Sequence, residues 1–326
     1  MKARFLSASI VFGWLALAAS AVQGAQDFHQ AAAPGAAQQT NNIQRTDVDA
    51  LTRLAATGDP VAQNNLGFFY SFSKGVSQNY QQGLKWLTAA ASAGFVAAEI
   101  NLAVFYEKGL SGKVELGQAM RWYLAAAQQG SATAQCKLGN LYHYARGIPR
   151  DDAASAEWYR KAAEQGNAAA ENDLGTMYQH GMGVTRDYAQ ALDWYRKAAA
   201  QGIAEAESNM GVIYEDGLGV EKDYTKAVAL YRDAALHGAI RGQFNLATMY
   251  SSGRGVPLDY VTAYMWFSRA ASAGDALAAR SLKNLVTVMT PHQKEQAEER
   301  LAEGQDASIS ETQPHPPFDA GRMSQR

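Results

Sequence analysis

The sequence predicts an all-α solenoid of stacked helix pairs, because three residue types recur at one fixed spacing. The first is a glycine found every 36 residues, which we number as position 36 of each repeat. In every repeat between residues 59 and 274, position 8 is then leucine or methionine and position 12 is tyrosine. A unit of this length must stack on copies of itself to bury its apolar face. The glycines are Gly58, Gly94, Gly130, Gly166, Gly202, Gly238 and Gly274.

The first helix of each repeat is indicated by positions 8 and 12, which are one helical step of four apart and therefore share a buried face. Position 9 is always glycine or alanine, as in Gly175 and Ala103. Glycine inside a helix costs about 1 kcal/mol relative to alanine, so its recurrence predicts close approach of a neighbouring helix.

A glycine turn and a second helix follow. Pairs such as Gly181 and Gly183 supply the positive φ of a tight turn. A short carboxylate then stands at position 21 and is predicted to cap the second helix, at Asp151, Asp187, Asp223 and Asp259. An aromatic pair such as Trp194 and Tyr195 is expected between helices, and the glycine at position 36 is expected in the left-handed conformation that ends the helix.

These residues resemble a known family. The stretch 173–178 (DLGTMY), followed by the turn 181–184 (GMGV) and by 191–199 with its Trp-Tyr pair, is similar to a Sel1-like repeat, a relative of the tetratricopeptide repeat. The resemblance covers residues 59–274 in six copies. It implies a right-handed α/α superhelix that acts as a scaffold or adaptor for other proteins, in bacteria often in envelope processes, signalling or host contact. The loop 109–116 lacks the usual turn and its aspartate.

The N-terminal residues predict export. Basic residues, an apolar run and small residues in 1–24 are typical of a secretory signal peptide, cleaved after Ala21 or Gly24, with an uncleaved anchor as the alternative. Residues 25–47 are expected to form a flexible linker, 48–303 the solenoid with degenerate caps at each end, and 304–326 a disordered tail. We therefore expect a periplasmic or secreted protein with no integral membrane segment after cleavage.

Little in the sequence indicates chemistry. The net charge of −2 gives no basic footprint for nucleic acid. The single cysteine, Cys136, excludes an intramolecular disulfide, and a free thiol for intermolecular pairing is the minor alternative. The SxxK motif of serine β-lactamases occurs at 71–74, but its usual SDN and KTG partners are absent from the sequence. His143 and His180 lie near equivalent positions, as exposed loop residues or, alternatively, as ligands of a shared metal. We predict no enzyme, cofactor or metal site.

Position 7 provides the candidate site, because it lies beside the core stripe and is polar in every repeat. Asparagine is a mediocre helix former, so its recurrence indicates a use: binding an extended peptide in a groove, or bonding the neighbouring repeat. A protein or peptide partner is the predicted function. A carbohydrate or peptidoglycan binder, stacking sugars on Phe68, Phe72 and Tyr144, is the alternative, and a hydrolase comes third. The position-7 residues are Asn65, Asn101, Lys137, Asp173, Asn209 and Asn245.

Overall fold

The computed structural model describes residues 48–72, 78–144 and 149–303. Within these ranges the chain forms fifteen α-helices and no β-strand. The predicted signal peptide, linker and tail, and Lys74 of the SxxK motif, lie outside the described residues. No described helix has the length and apolar character needed to cross a membrane.

Helix α1 covers residues 48–56 and forms the predicted N-terminal cap. The six repeats follow as α2 to α13, so that even-numbered helices are first helices and odd-numbered helices are second helices. Two further helices, α14 and α15, close the array. The ranges are α2 Pro60–Phe72, α3 Tyr80–Ser92, α4 Val96–Glu107, α5 Leu116–Gln128, α6 Ala132–His143, α7 Asp152–Ala163, α8 Ala168–His180, α9 Tyr188–Ala200, α10 Ala204–Asp216, α11 Tyr224–Leu236, α12 Ile240–Ser252, α13 Tyr260–Ser272, α14 Ala276–Val288 and α15 Pro291–Ala302.

Packing follows the repeat pattern, and the contacts divide the chain into unit 1, which ends at Gln129, and unit 2, which begins at Gly130. Repeats 1 and 2 form unit 1, and repeats 3 to 6 form unit 2. Within each unit, a first helix packs against the second helix of its own repeat and against the second helix of the repeat before it. Each unit is thus a stack of helix pairs, as the sequence predicts.

The helix ends are where the sequence places them. The Asp187 carboxylate accepts hydrogen bonds from the amides of Ala189 and Gln190, and the other three position-21 aspartates cap their helices in the same way. All seven glycines at position 36 have positive φ, between 78° and 95°. In repeat 2, Glu115 makes no capping bond through its side chain, and Gly109 and Gly112 shape a different loop.

The small residue at position 9 is explained by the residue at position 29, which lies against it. A Cβ atom added at Gly139, Gly175 or Gly211 would lie 2.5 to 2.7 Å from a tyrosine ring of the second helix. The rings belong to Tyr159, Tyr195 and Tyr231, which are at most 1% exposed. The close helix approach predicted from the sequence is confirmed, and a tyrosine ring fills the space that a side chain at position 9 would occupy.

The hydroxyl groups of the buried position-29 tyrosines donate to polar side chains of the first helix, at position 10 for Tyr159, which bonds Oδ1 of Asn140, and at position 13 in three other repeats. Tyr195 donates to Oε1 of Gln179 at 2.7 Å, and Tyr231 donates to Oε2 of Glu215 at the same distance. In unit 1, Tyr123 donates to Oε2 of Glu107 at 2.7 Å. A buried hydroxyl without a partner would destabilise the fold, so position 13 completes the packing of position 29.

In repeats 4 to 6 the second glycine of the turn lies against the preceding repeat. A Cβ atom at Gly183 would collide with the backbone of Asp152, at the start of α7, and one at Gly255 would lie 2.5 Å from the Tyr224 carbonyl oxygen at the start of α11. A Cβ atom added at Gly219 would lie 2.9 Å from Cβ of Tyr188, at the start of α9. The GxG turn therefore provides both positive φ and a contact surface for the neighbouring helix start.

The tryptophans at position 28 differ in burial. Trp194 is partly buried at the edge of the cluster that contains Leu174, and the Lys197 ammonium lies 3.7 Å from the centroid of its ring. Trp266 is 1% exposed and belongs to the large core of unit 2. The expectation that Trp194 is held between helices is therefore only partly met, because one part of the indole faces solvent.

Candidate functional site

The first helices of successive repeats lie beside one another within each unit, as α2 does with α4 and as α8 does with α10. The position-7 residues are partly buried along this side. In each unit we call the surface that carries the position-7 residues the ladder face. It is defined by Asn65 and Asn101 in unit 1, and by Lys137, Asp173, Asn209 and Asn245 in unit 2.

In unit 2 the ladder face contains a chain of oriented amides. Nδ2 of Asn209 donates to Oδ1 of Asn172 in the preceding repeat at 3.0 Å. Nδ2 of Asn172 in turn donates to Oδ1 of Asp173 at 3.3 Å. We call this arrangement an amide relay. It runs from one first helix to the preceding one and ends on a carboxylate.

Unit 1 contains the same relay with a neutral end. Nδ2 of Asn101 donates to Oδ1 of Asn64 at 2.9 Å, and Nδ2 of Asn64 donates to Oδ1 of Asn65 at 3.3 Å. The two relays therefore match in every step except the last acceptor, which is an amide oxygen in unit 1 and a carboxylate in unit 2.

Three of the six predicted site residues thus bond the neighbouring repeat, which is one of the two roles that the sequence left open. Asn101 and Asn209 do so through the relays, and Asn245 donates to Oγ of Ser208 at 3.4 Å. Asp173 and Asn65 are the acceptors at the ends of the two relays, and Lys137 is partly buried in unit 2. Sequence reasoning missed the position-6 partners, although Asn64 and Asn172 stand directly before polar position-7 residues and could have been noticed there.

The Asp173 carboxylate is the most strongly perturbed acid of the ladder face. Burial raises its pKa to about 6, although the Asn172 amide, the charge of His143 and the Tyr159 hydroxyl lower it. Among the described residues no lysine or arginine forms an ion pair with it. His143 is itself occupied, because its Nδ1 lies 2.8 Å from Oδ1 of Asp152. Asp173 is therefore a desolvated carboxylate that forms no ion pair with a described lysine or arginine, and the nearby His143 offsets its charge only in part.

The cysteine and the serine that the sequence offered as reactive residues are both buried. Cys136 is buried, and burial raises the pKa of its thiol to about 12, so little thiolate exists at neutral pH. Ser71 is 1% exposed and its hydroxyl lies against Gly83. In the described ranges, no three residues among histidine, cysteine, aspartate and glutamate are grouped as metal ligands.

The aromatic residues considered for sugar stacking are engaged with other side chains. Phe68 and Phe72 lie 5.1 Å apart with their rings tilted by 42°, and Phe72 packs against the core of unit 1. Tyr144 is 60% exposed but meets the His143 ring edge-on, at 4.7 Å. Phe68 and Phe72 are both partly buried, so Tyr144 is the most exposed of the three rings.

A stack of helix pairs with a polar first-helix face defines a helical-repeat protein. The chain belongs to the Sel1 repeat family, whose model matches residues 60–95, 96–131, 132–167, 168–203, 204–238 and 240–275. These matches coincide with the six repeats read from the glycine spacing.

Two solved structures are similar over most of the chain. One is a protective antigen present in uropathogenic Escherichia coli strains, described as having an SLR fold, with 35% identity and a TM-score of 0.67. The alignment covers 79% of this chain and 56% of the E. coli protein, so this chain spans little more than half of that relative. The other is a Sel1 repeat protein from Oxalobacter formigenes, with 32% identity, a TM-score of 0.63 and coverage of 84% and 76%. No curated protein matches the chain.

Proposed function

We propose that this protein is an exported, non-enzymatic scaffold that binds another protein or a peptide along the ladder face of unit 2. Sel1 repeat proteins are typically scaffolds for protein–protein interaction. The observation that favours the ladder face is Asp173, a partly buried carboxylate without a described cationic partner, which lies among amide groups that can donate to and accept from a peptide backbone. The groups on this face bind and orient, and none is arranged for bond breaking.

Export is the second part of the proposal, and the pattern of residues 1–24 supports it. A protein delivered to the periplasm or secreted would meet partners of the bacterial envelope or of a host. Fusion of residues 1–24 to a reporter that is active only after export, followed by cell fractionation, tests this part. Activity that stays with the cytoplasmic fraction would contradict export and leave the binding proposal intact.

The binding test uses a variant with Lys137→Ala, Asp173→Ala and Asn209→Ala, which we call the triple ladder variant. The wild-type chain is immobilised and offered envelope proteins and, separately, purified cell wall. We expect a specific protein to be retained by the wild type and lost by the triple ladder variant. A matched control carries Glu157→Ala and Asp193→Ala, two exposed positions on second helices, and should retain the partner.

Melting temperatures of all three proteins separate binding from folding. The triple ladder variant loses the Asn209 bond to the preceding repeat, worth about 0.5–1.5 kcal/mol, while alanine improves helix propensity. A variant that melts early and binds in proportion to its folded fraction would show that the face is structural only. Retention of cell wall in place of protein would support the carbohydrate alternative.

A further inference from the structure

We propose that the end of the amide relay in unit 2, at Asp173, is a subsite for a basic side chain, lysine or arginine, of the bound peptide. This inference rests on the proposed function, since it names the chemical character of the partner at the same face.

The two amide relays differ in the residue that accepts their last hydrogen bond. In unit 1 the relay ends on the amide oxygen of Asn65, and in unit 2 it ends on the carboxylate of Asp173. An asparagine therefore satisfies the last donor of the relay, so the packing between repeats does not require an acid at this position. The negative charge of Asp173 is therefore additional to what the relay needs.

The surroundings of Asp173 contain no described lysine or arginine at ion-pair distance, and its side chain is partly exposed. The groups that bear on it are the Asn172 amide from its own helix, the Tyr159 hydroxyl from α7 and the His143 ring from α6. The Asn172 amide and the Tyr159 hydroxyl are neutral, and the Tyr159 hydroxyl donates to Oδ1 of Asn140 at 2.6 Å. His143 lies in an ion-pair contact with Asp152. A half-buried carboxylate without a cation is stabilised by an opposite charge within about 4–6 Å.

A lysine or arginine side chain suits this subsite better than an isolated metal ion. The neighbouring protein groups include an amide, a hydroxyl and an imidazole, and among the described residues no group of three histidine, cysteine, aspartate or glutamate side chains forms around Asp173. A single carboxylate forms a charge-assisted hydrogen bond with an ammonium or guanidinium group, whereas a divalent cation requires several oxygen ligands. The amide groups along the face remain available to the backbone of the same peptide.

The experiment selects peptides from a phage-displayed random library of about nine residues, which span roughly 30 Å when extended. Selections are run in parallel on the wild type and on Asp173→Asn, which reproduces the neutral end seen in unit 1 and is therefore expected to fold. We expect peptides selected on the wild type to share a lysine or arginine at one position. Replacing that residue by glutamine should weaken binding to the wild type about tenfold or more and binding to Asp173→Asn less than about twofold.

The outcomes of the selection separate the cation subsite from the proposed binding face. Peptides without a basic residue, or a basic preference that Asp173→Asn retains, would overturn the cation subsite. If such peptides still lose affinity for the triple ladder variant, the proposed function stands and only the subsite falls. If no peptide is selected, or if selected peptides bind the triple ladder variant unchanged, the ladder face does not bind peptides and both proposals fail.

Discussion

The ring of Tyr195 lies directly against the backbone of Gly175, so that a Cβ atom at Gly175 would be 2.7 Å from Cδ1 of the ring. The ring is buried, and its hydroxyl donates to Gln179 and lies 3.1 Å from Oγ1 of Thr176. Glycine is required here by the space that its partner occupies, and this relationship recurs in repeats 3 to 5.

Gly175→Ala should therefore destabilise the protein. Moving a buried ring that also makes hydrogen bonds costs about 1–3 kcal/mol, which exceeds the gain of up to about 1 kcal/mol from better helix propensity. Urea unfolding gives the difference. Gly117→Ala is the control, because a Cβ atom there meets nothing within 4 Å, and it should be neutral or stabilising by up to about 1 kcal/mol. Equal effects at the two sites would contradict the packing argument.

Gly166→Ala tests backbone conformation without any steric contact. Gly166 has a φ of 79°, and a Cβ atom there would meet no atom within 4 Å. The cost is therefore strain in the left-handed region, about 1–2 kcal/mol. Gly166→Asn should cost less, since asparagine adopts this conformation more readily. A thermal melt in which alanine is tolerated as well as asparagine would show that the helix ends differently.

Asp173→Asn should raise stability at neutral pH and leave it unchanged near pH 4. The folded-state pKa of about 6 is above the ordinary value of 3.8, so between these values the folded protein binds the proton more tightly than the unfolded chain. The contribution of Asp173 to the free energy of unfolding therefore falls as pH rises through this window. Allowing for partial exposure, we expect a gain of about 1–2 kcal/mol at pH 7.5.

Urea titrations of the wild type and Asp173→Asn from pH 4 to 8 measure this difference. Asn65→Asp is the reciprocal variant in unit 1 and should lose stability over the same pH range. A wild type that is more stable than Asp173→Asn at pH 7.5 would mean that a cationic group already neutralises Asp173 within the protein.

Two tryptophans at the same repeat position should respond unequally to truncation. Trp266→Ala removes a buried indole and should cost about 3–5 kcal/mol, whereas Trp194→Ala removes a ring that is partly exposed and should cost about 1–3 kcal/mol. Melting curves followed by circular dichroism compare them. A larger loss at Trp194 would indicate that the Lys197 contact and the edge of the core carry more of the stability than burial suggests.

Helix boundaries could be predicted from the sequence because each depends on one residue type at one position. The cap at Asp187 and the positive φ of Gly166 follow from local stereochemistry and need no knowledge of the neighbours. The hydrogen bond from Tyr195 to Gln179 and the relay from Asn209 to Asn172 could not be predicted in the same way. They depend on how far one helix is displaced along another, which residue spacing within a helix does not determine.

The ladder face itself was predictable only as a polar column. Repeat spacing identifies position 7, but the division of the column into residues that join repeats and residues that keep a free charge requires the neighbouring helix. A comparison of positions 6 and 7 within each repeat would have suggested part of this division, since position 6 is asparagine in repeats 1 and 4, at Asn64 and Asn172.

The contact between the second turn glycine and the preceding helix start gives unit 2 a direction. Gly255 packs against Tyr224 and Gly183 packs against Asp152, so each of these turns contacts the repeat before it. Removing the last repeat leaves the earlier turns supported, whereas removing the first leaves the next turn without its support. Under a pulling force applied at the C-terminal end, the repeats of unit 2 should therefore detach one at a time, beginning with the last, and each step should leave a shorter but still complete array.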